Sequence, residues 1–288
     1  MTDYHNQLDP ELQGDSANET IPESQEETGD TTPTEPEDPA EKYKDHFALA
    51  GKGCGACGQM LKNVCVIGFL VNDRSSAWKE DDLEKIKIVL QNATSIMKKQ
   101  SGLSDNRLKI SYAYDCVPIQ FRFDRDENSA RVITDVLGQY GYLSVSSYQD
   151  HYKKKFNKQE VPIVFFVNRD FRSFAHKTEA RDDNSGGEYS FVSYNQNIDD
   201  CVRTLIHEVM HQFGAIDYYI PDRVKDAAEK LLPGSIMNSG MVFDDLTRYI
   251  IGWDEELSKA AVQFLEETND ITEEEIRKAR EKDKDNDW

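Results

Sequence analysis

The sequence predicts a mixed α/β (α+β) fold, a twisted sheet lying over one long helix and followed by a mostly helical C-terminal part. Three observations carry this. Residues 64–71, 161–167 and 188–195 are short apolar or β-branched runs of strand length. Between and after them, apolar residues recur at three- and four-residue spacing, the period of a helix with one buried face. The resulting order is strand, helix, strand, helix, strand, strand, helix, with helices to the end, and that alternation suits a sheet covered by helices.

Residues 1–45 come first and differ from the rest. They hold 14 acidic and 2 basic side chains and almost no large apolar ones, with a Thr/Pro/Glu-rich stretch around Thr32–Pro39. Such a segment cannot bury enough surface to offset its chain entropy, so residues 1–45 are expected to form a disordered acidic linker. The catalytic or binding part is then 46–288. The whole chain has 288 residues and a formal charge of −20, but residues 46–265 carry only −3 of it. An acidic chain without a basic stripe is a poor nucleic-acid binder, and it would be repelled by an anionic membrane surface. No apolar run is long enough to span a bilayer. No leader is expected at Met1, since a basic start and an apolar stretch are both missing.

Val64 to Val71 reads as a buried strand. Leu83, Ile86, Leu90, Ala93 and Met97 mark an amphipathic helix over 80–99, ended by Gly102. Ile110, Tyr112 and Tyr114 alternate in a strand expected over 109–121. Val132, Val136, Leu137 and Tyr140 predict a helix over 127–140. A third strand covers 161–167, with Pro162 near its start, where a missing N–H is tolerated. A polar loop at 182–187 leads to a fourth strand over 188–195. A helix follows over 199–213. At the end, Thr272 and Glu275 make a capping box that opens a polar helix to about Lys282.

The chemistry concentrates in His207-Glu208-Val209-Met210-His211-Gln212-Phe213-Gly214-Ala215-Ile216-Asp217. Residues four apart on a helix lie about 40° apart around its axis, so His207 and His211 share a face and reach one ion. Val202, Leu205, Val209 and Phe213 form the opposite, apolar face. Gly214 ends the helical pattern and suits a left-handed turn that carries Asp217 back toward the histidines. Two imidazoles and a carboxylate are a ligand set for one catalytic Zn²⁺, with a fourth position open. Glu208, beside the first ligand, is placed to act as a general base. The reaction class is metal-assisted hydrolysis, with a peptide bond as the expected substrate.

This stretch resembles the extended zinc motif of the metzincin metalloproteases, in the variant with Asp as third ligand. Gly234-Ser235-Ile236-Met237-Asn238 is similar to that clan's Met-turn. The resemblance implies His207, His211 and Asp217 as zinc ligands, Glu208 as base, and Met237 as an apolar floor beneath the metal. It also implies an upper sheet part over 60–214, a lower helical part over 215–288, and an antiparallel edge strand before the helix, at 188–195, that pairs with an extended substrate. The run 247–253 is similar to the helix after the Met-turn in some bacterial members. There are departures. Many members have His at the third position, and the alternative for Asp217 is a partner to a ligand rather than a ligand. Some subfamilies have a Tyr two residues after the methionine; here it is Ser239. Tyr218 and Tyr219 are the candidates for the oxyanion role, against the plainer reading of packed aromatics.

Cys54 and Cys57 form a glycine-flanked Cys-x-x-Cys, and Cys65, Cys116 and Cys201 complete five. The expectation is a disulfide, with Cys65 or Cys116 as further partners, and Cys201 as a small buried filler. Asp182, Asp183, Asn184 and Glu188 are an oxygen-rich candidate for Ca²⁺, against a plain solvated turn. Lys153 to Lys155 read as a solvated face. Three functions follow for comparison: a secreted zinc endopeptidase acting on a peptide or protein, a non-catalytic zinc-stabilised binding module, and a redox protein working through Cys54 and Cys57. The acidic segment ahead of a cysteine-bearing hydrolase favours an extracellular or cell-surface protein whose leader was removed from this chain.

Overall fold

The computed structural model describes residues 38–53, 55–176 and 187–284. Among them five strands form one sheet, and nine helices surround it. A short helix, α1 (Pro39–Lys42), is followed by β1 (Lys62–Asn72), α2 (Glu80–Ser101) and β2 (Leu108–Pro118). Next come α3 (Arg125–Gln139), α4 (Val145–Lys155), β3 (Ile163–Val167), β4 (Phe174–His176) and β5 (Tyr189–Ser193). The sheet order is β2-β1-β3-β5-β4, with all neighbours parallel except β4, which runs antiparallel to β5.

Strand alternation splits the core in two. Val64, Val66 and Leu70 face one side, whereas Cys65, Ile67, Phe69 and Val71 face the other. β1 runs to β2 in one direction, and β2 then crosses back over β1 to reach β3. Right-handed crossovers therefore put α2 and the α3–α4 pair on opposite faces. The α3–α4 face holds Val132, Val136 and Tyr148; the α2 face holds Ile86, Leu90 and Met97. Helix α5 (Ile198–Gln212) packs on the α2 face, against β5 and α2. Helices α6 (Asp222–Leu231), α7 (Asp245–Ile250), α8 (Lys259–Thr268) and α9 (Glu273–Lys284) complete the C-terminal part. The mixed fold read from the sequence is thus observed. No helix among the described residues is long and apolar enough to cross a membrane.

Several boundaries agree and several differ. Gly102 takes the left-handed conformation that ends α2, φ +66°. Thr272 and Glu275 cap α9 reciprocally, at 2.8 and 3.2 Å. β3 starts only after Pro162, whose carbonyl still accepts the Ile67 N–H. Helix α4 and strand β4 were not anticipated, because α4 is mostly polar and β4 spans three half-buried residues. The antiparallel edge is β4, not the 188–195 segment: β5 is flanked on both sides, by β3 and β4.

Packed residues also occur before residue 46. Tyr43 is buried and donates its hydroxyl to Glu266 at 3.0 Å, and His46 meets Thr268 at 3.1 Å. These apolar and aromatic anchors are sparse in sequence and so were absorbed into the acidic segment; residues 1–37 of that segment lie outside the described residues. The lysines 153–155 end α4, and Lys153 pairs with Glu160 at 2.9 Å.

Candidate metal centre

Helix α5 presents both imidazoles. Asn197 caps its first turn, accepting from the backbone N–H groups of Asp199 and Asp200. Val202, Leu205, Val209 and Phe213 are all buried, as the helical pattern predicts. The buried Gln212 fastens the helix end to the sheet: its side chain donates to the Ile163 carbonyl at 3.0 Å and accepts the Ile163 N–H at 2.9 Å.

The chain then turns sharply. Gly214 has φ +93°, and its N–H reaches the His211 carbonyl at 2.9 Å. A β-carbon at Gly214 would overlap the Gly51 carbonyl, so this position requires glycine twice over. The turn returns Asp217 to the helix face. Its Oδ1 lies 3.1 Å from Nε2 of His207 and 3.1 Å from Nε2 of His211, and the two Nε2 atoms are 3.1 Å apart.

The opposite ring nitrogens set this orientation. His207 Nδ1 lies 2.8 Å from the Ile236 carbonyl, and His211 Nδ1 lies 2.9 Å from the Ala215 carbonyl. A carbonyl only accepts, so each Nδ1 carries a hydrogen and each Nε2 turns its lone pair toward Asp217. Were both imidazoles neutral, three lone pairs would converge there, and the buried Glu208 Oε2 beside them accepts no hydrogen bond among the described residues. Such a convergence is stable only around a proton or a cation. A triangle with 3.1 Å sides has points about 2.0–2.1 Å from all three corners, the zinc–nitrogen and zinc–oxygen distance, so the residues present fit that ion.

The electrostatics carry the same signature. Burial alone would lower the His207 pKa, but the hydrogen bond to Asp217 and that residue's charge raise it to about 9. Burial would raise Asp217, yet the charges of His211 and His207 and their hydrogen bonds hold it well below the usual carboxylate range. Glu208 is pushed up to about 8 by burial, with the charges of His207, Arg172 and Arg125 opposing the rise.

His207 and Glu208 open onto a cavity of about 330 Å³. Its walls come from α5 (Arg203, Thr204), the segment before β4 (Asp170, Phe171, Arg172), the end of β5 and the turn at Asn238 and Ser239. Tyr219 lines it too, its ring 6.1 Å from that of His207 and its hydroxyl 3.5 Å from Arg172. Tyr218 does not. It is fully buried against Phe264, with its hydroxyl toward Thr247, because consecutive side chains after Asp217 point to opposite sides. Tyr218 therefore does not face the cavity, contrary to its expected oxyanion role, whereas Tyr219 does. Arg172 was missed; it sits in a loop with no motif around it.

Met237 is fully buried in the turn that starts at Gly234, φ +73°. Its carbonyl accepts the Tyr218 N–H at 2.7 Å, next to Asp217. Cys201 is buried on α5 at the cavity wall, as expected of a filler. The disulfide expectation fails for the described cysteines: Cys57, Cys65, Cys116 and Cys201 are free thiols. Cys57 packs in the core cluster that includes α2, and Cys65 in the one that includes α3 and α4. Cys54 lies outside the described residues. Burial also pushes the Cys57 thiol far up, which disfavours the thiolate a redox role needs. Of the calcium candidates, Asp182, Asp183 and Asn184 lie outside the described residues, while Glu188 accepts the Ala56 N–H at 2.9 Å. No family model matches the chain, and no curated protein matches it.

Proposed function

We propose that this chain is a zinc-dependent endopeptidase of the metzincin type, with His207, His211 and Asp217 holding the ion and Glu208 as general base. The observation that carries the reading is the meeting of two Nε2 atoms and Asp217 Oδ1 at 3.1 Å, beside a buried Glu208 on one cavity. Zinc in this set supplies Lewis acidity and lowers the pKa of water. Glu208 takes the proton of the attacking water and returns it to the leaving amine. Its burial raises its proton affinity, which suits the return step, and a cation at the neighbouring ligands draws it down far enough to accept the proton first. Strand β4 offers an antiparallel edge for an extended peptide. Tyr219 and Arg172, side by side at the cavity, are the groups placed to meet a developing oxyanion.

The test sets wild type beside Glu208→Gln. Both should bind one zinc, and only the wild type should cleave a peptide library, with the variant reduced at least ~10²-fold. Equal cleavage removes Glu208 from the mechanism, and a wild type that binds no zinc ends the assignment.

A further inference from the structure

We propose that Asp244 is a positioning residue for the His207–His211–Asp217 cluster, acting through Ser235 and Thr247; the inference rests on the zinc reading above. The two oxygens of this buried carboxylate do different work. Oδ1 accepts the backbone N–H groups of Leu246 and Thr247, at 3.1 and 3.0 Å, and so caps α7. Oδ2 accepts the hydroxyls of Ser235 and Thr247, both at 2.6 Å. A cap needs only the first oxygen.

The second oxygen leads to the ligands by two routes. Ser235 Oγ, donating to Asp244, accepts the Met237 N–H at 3.1 Å. That braces the turn whose Ile236 carbonyl takes His207 Nδ1–H and whose Met237 carbonyl takes the Tyr218 N–H. Thr247 Oγ1, also donating to Asp244, faces the Tyr218 hydroxyl at 3.4 Å. Tyr218 adjoins Asp217, so both routes end on ligands from different segments, and the loop of hydrogen bonds closes on itself. Ser235, Thr247 and Tyr218 are fully buried, and Asp244 is 6 % exposed, so water cannot replace a lost link. Outer partners of metal ligands commonly affect affinity about 10–100-fold.

Asp244→Asn separates the two roles. The amide oxygen can still cap α7, but the amide nitrogen donates where Oδ2 accepted, and the Ser235 and Thr247 hydroxyl hydrogens lose their acceptor. The measurement is the Zn²⁺ dissociation constant of the full chain, by competition with a chromophoric chelator, under conditions where circular dichroism shows each protein folded. Asp244→Asn and Ser235→Ala should bind zinc about 10–100-fold more weakly, Thr247→Val more weakly, and Thr247→Ser, which keeps the hydroxyl, like the wild type. A purely structural Asp244 would lower the melting temperature while the folded variants bind zinc within twofold of wild type, and that result overturns the proposal. If Asp244→Asn does not fold, Ser235→Ala and the two Thr247 variants decide it. A wild type that takes no zinc overturns the metal reading and this inference with it; wild-type binding with unaffected variants overturns this inference alone.

Discussion

On the proposed zinc reading, a proton and the ion compete for one position at His207. Its pKa of about 9 means the metal-free centre carries a proton near neutrality, held between His207 and Asp217. Zinc needs the same lone pair, so binding must expel that proton. Calorimetry at pH 7 in buffers of different ionisation enthalpy should therefore report more than one proton released per zinc bound, one from His207 and most of another from Glu208 as the ion draws it down. Affinity should strengthen by more than tenfold per pH unit up to about 8, about tenfold per unit from there to about 9, and then level off. No proton release would place the charge elsewhere. His46 makes the opposite case. Burial lowers it to about 4, from an ordinary 6.5, so the folded state resists its protonation. Its contribution is complete above pH 6.5 and is lost as pH falls toward 4. His46→Gln should narrow the drop in melting temperature between pH 7 and pH 5, and an unchanged drop would clear His46 of the effect. At this scale His207, Glu208, His211 and Asp217 were readable because their types and spacing are unusual on one helix. The Ile236 and Ala215 carbonyls that orient the rings were not, since every residue has a carbonyl.

At the scale of elements, the decisive feature is how α5 ends. The helix delivers two imidazoles, but Asp217 returns only because the chain reverses at Gly214, where φ is +93° and the Gly51 backbone presses close. Gly214→Ala adds left-handed strain of about 1–2 kcal/mol and a clash that backbone must move to relieve. It should lower the denaturation midpoint well beyond what a surface alanine does, and weaken zinc binding in any protein that remains folded. A variant with wild-type stability and zinc affinity would show that the reversal does not depend on glycine. The helix itself was legible from its two-faced pattern, and Gly214 from its place after the last apolar position. The clamp by Gln212 had only one sequence signal, an amide where the pattern runs into the buried side. Strand β4 had none, because three half-buried residues make no periodicity. The resemblance implies the edge role for the 188–195 segment before the helix, which the sheet instead places inside, between β3 and β4.

Across the whole molecule, the glycine-rich stretch before β1 holds the two halves of the fold to each other. The spacing Cys54-x-x-Cys57 drew attention to sulfur, yet what the structure uses is the missing side chains around it. Gly51 abuts Gly214, Gly55 abuts the Gln212 carbonyl, and the Cys57 N–H donates to that carbonyl at 3.0 Å. Further along, the Met60 N–H reaches the Ile251 carbonyl at 2.8 Å, and Trp253 Nε1 donates back to the Met60 carbonyl at 3.1 Å. Upstream, Tyr43 and His46 reach α8 through Glu266 and Thr268. This strap thus runs from the C-terminal helices across the end of α5 to the first strand. Tyr43, Leu49, Cys57 and Met60 are buried along it. Burying a large apolar side chain stabilises by roughly 1.5–3 kcal/mol, before the entropy of ordering the strap is subtracted. Two shortened chains test this, one starting at Asp38 and one at Leu61. The first keeps the strap; the second removes it and leaves Gln212, Trp253 and Thr268 short of partners. The chain from Leu61 should lose its cooperative thermal transition, and with it tight zinc binding, while the chain from Asp38 keeps both. Equal melting of the two would mean that α5 is held by the sheet and the C-terminal helices alone, and that the glycines before β1 serve something other than close packing.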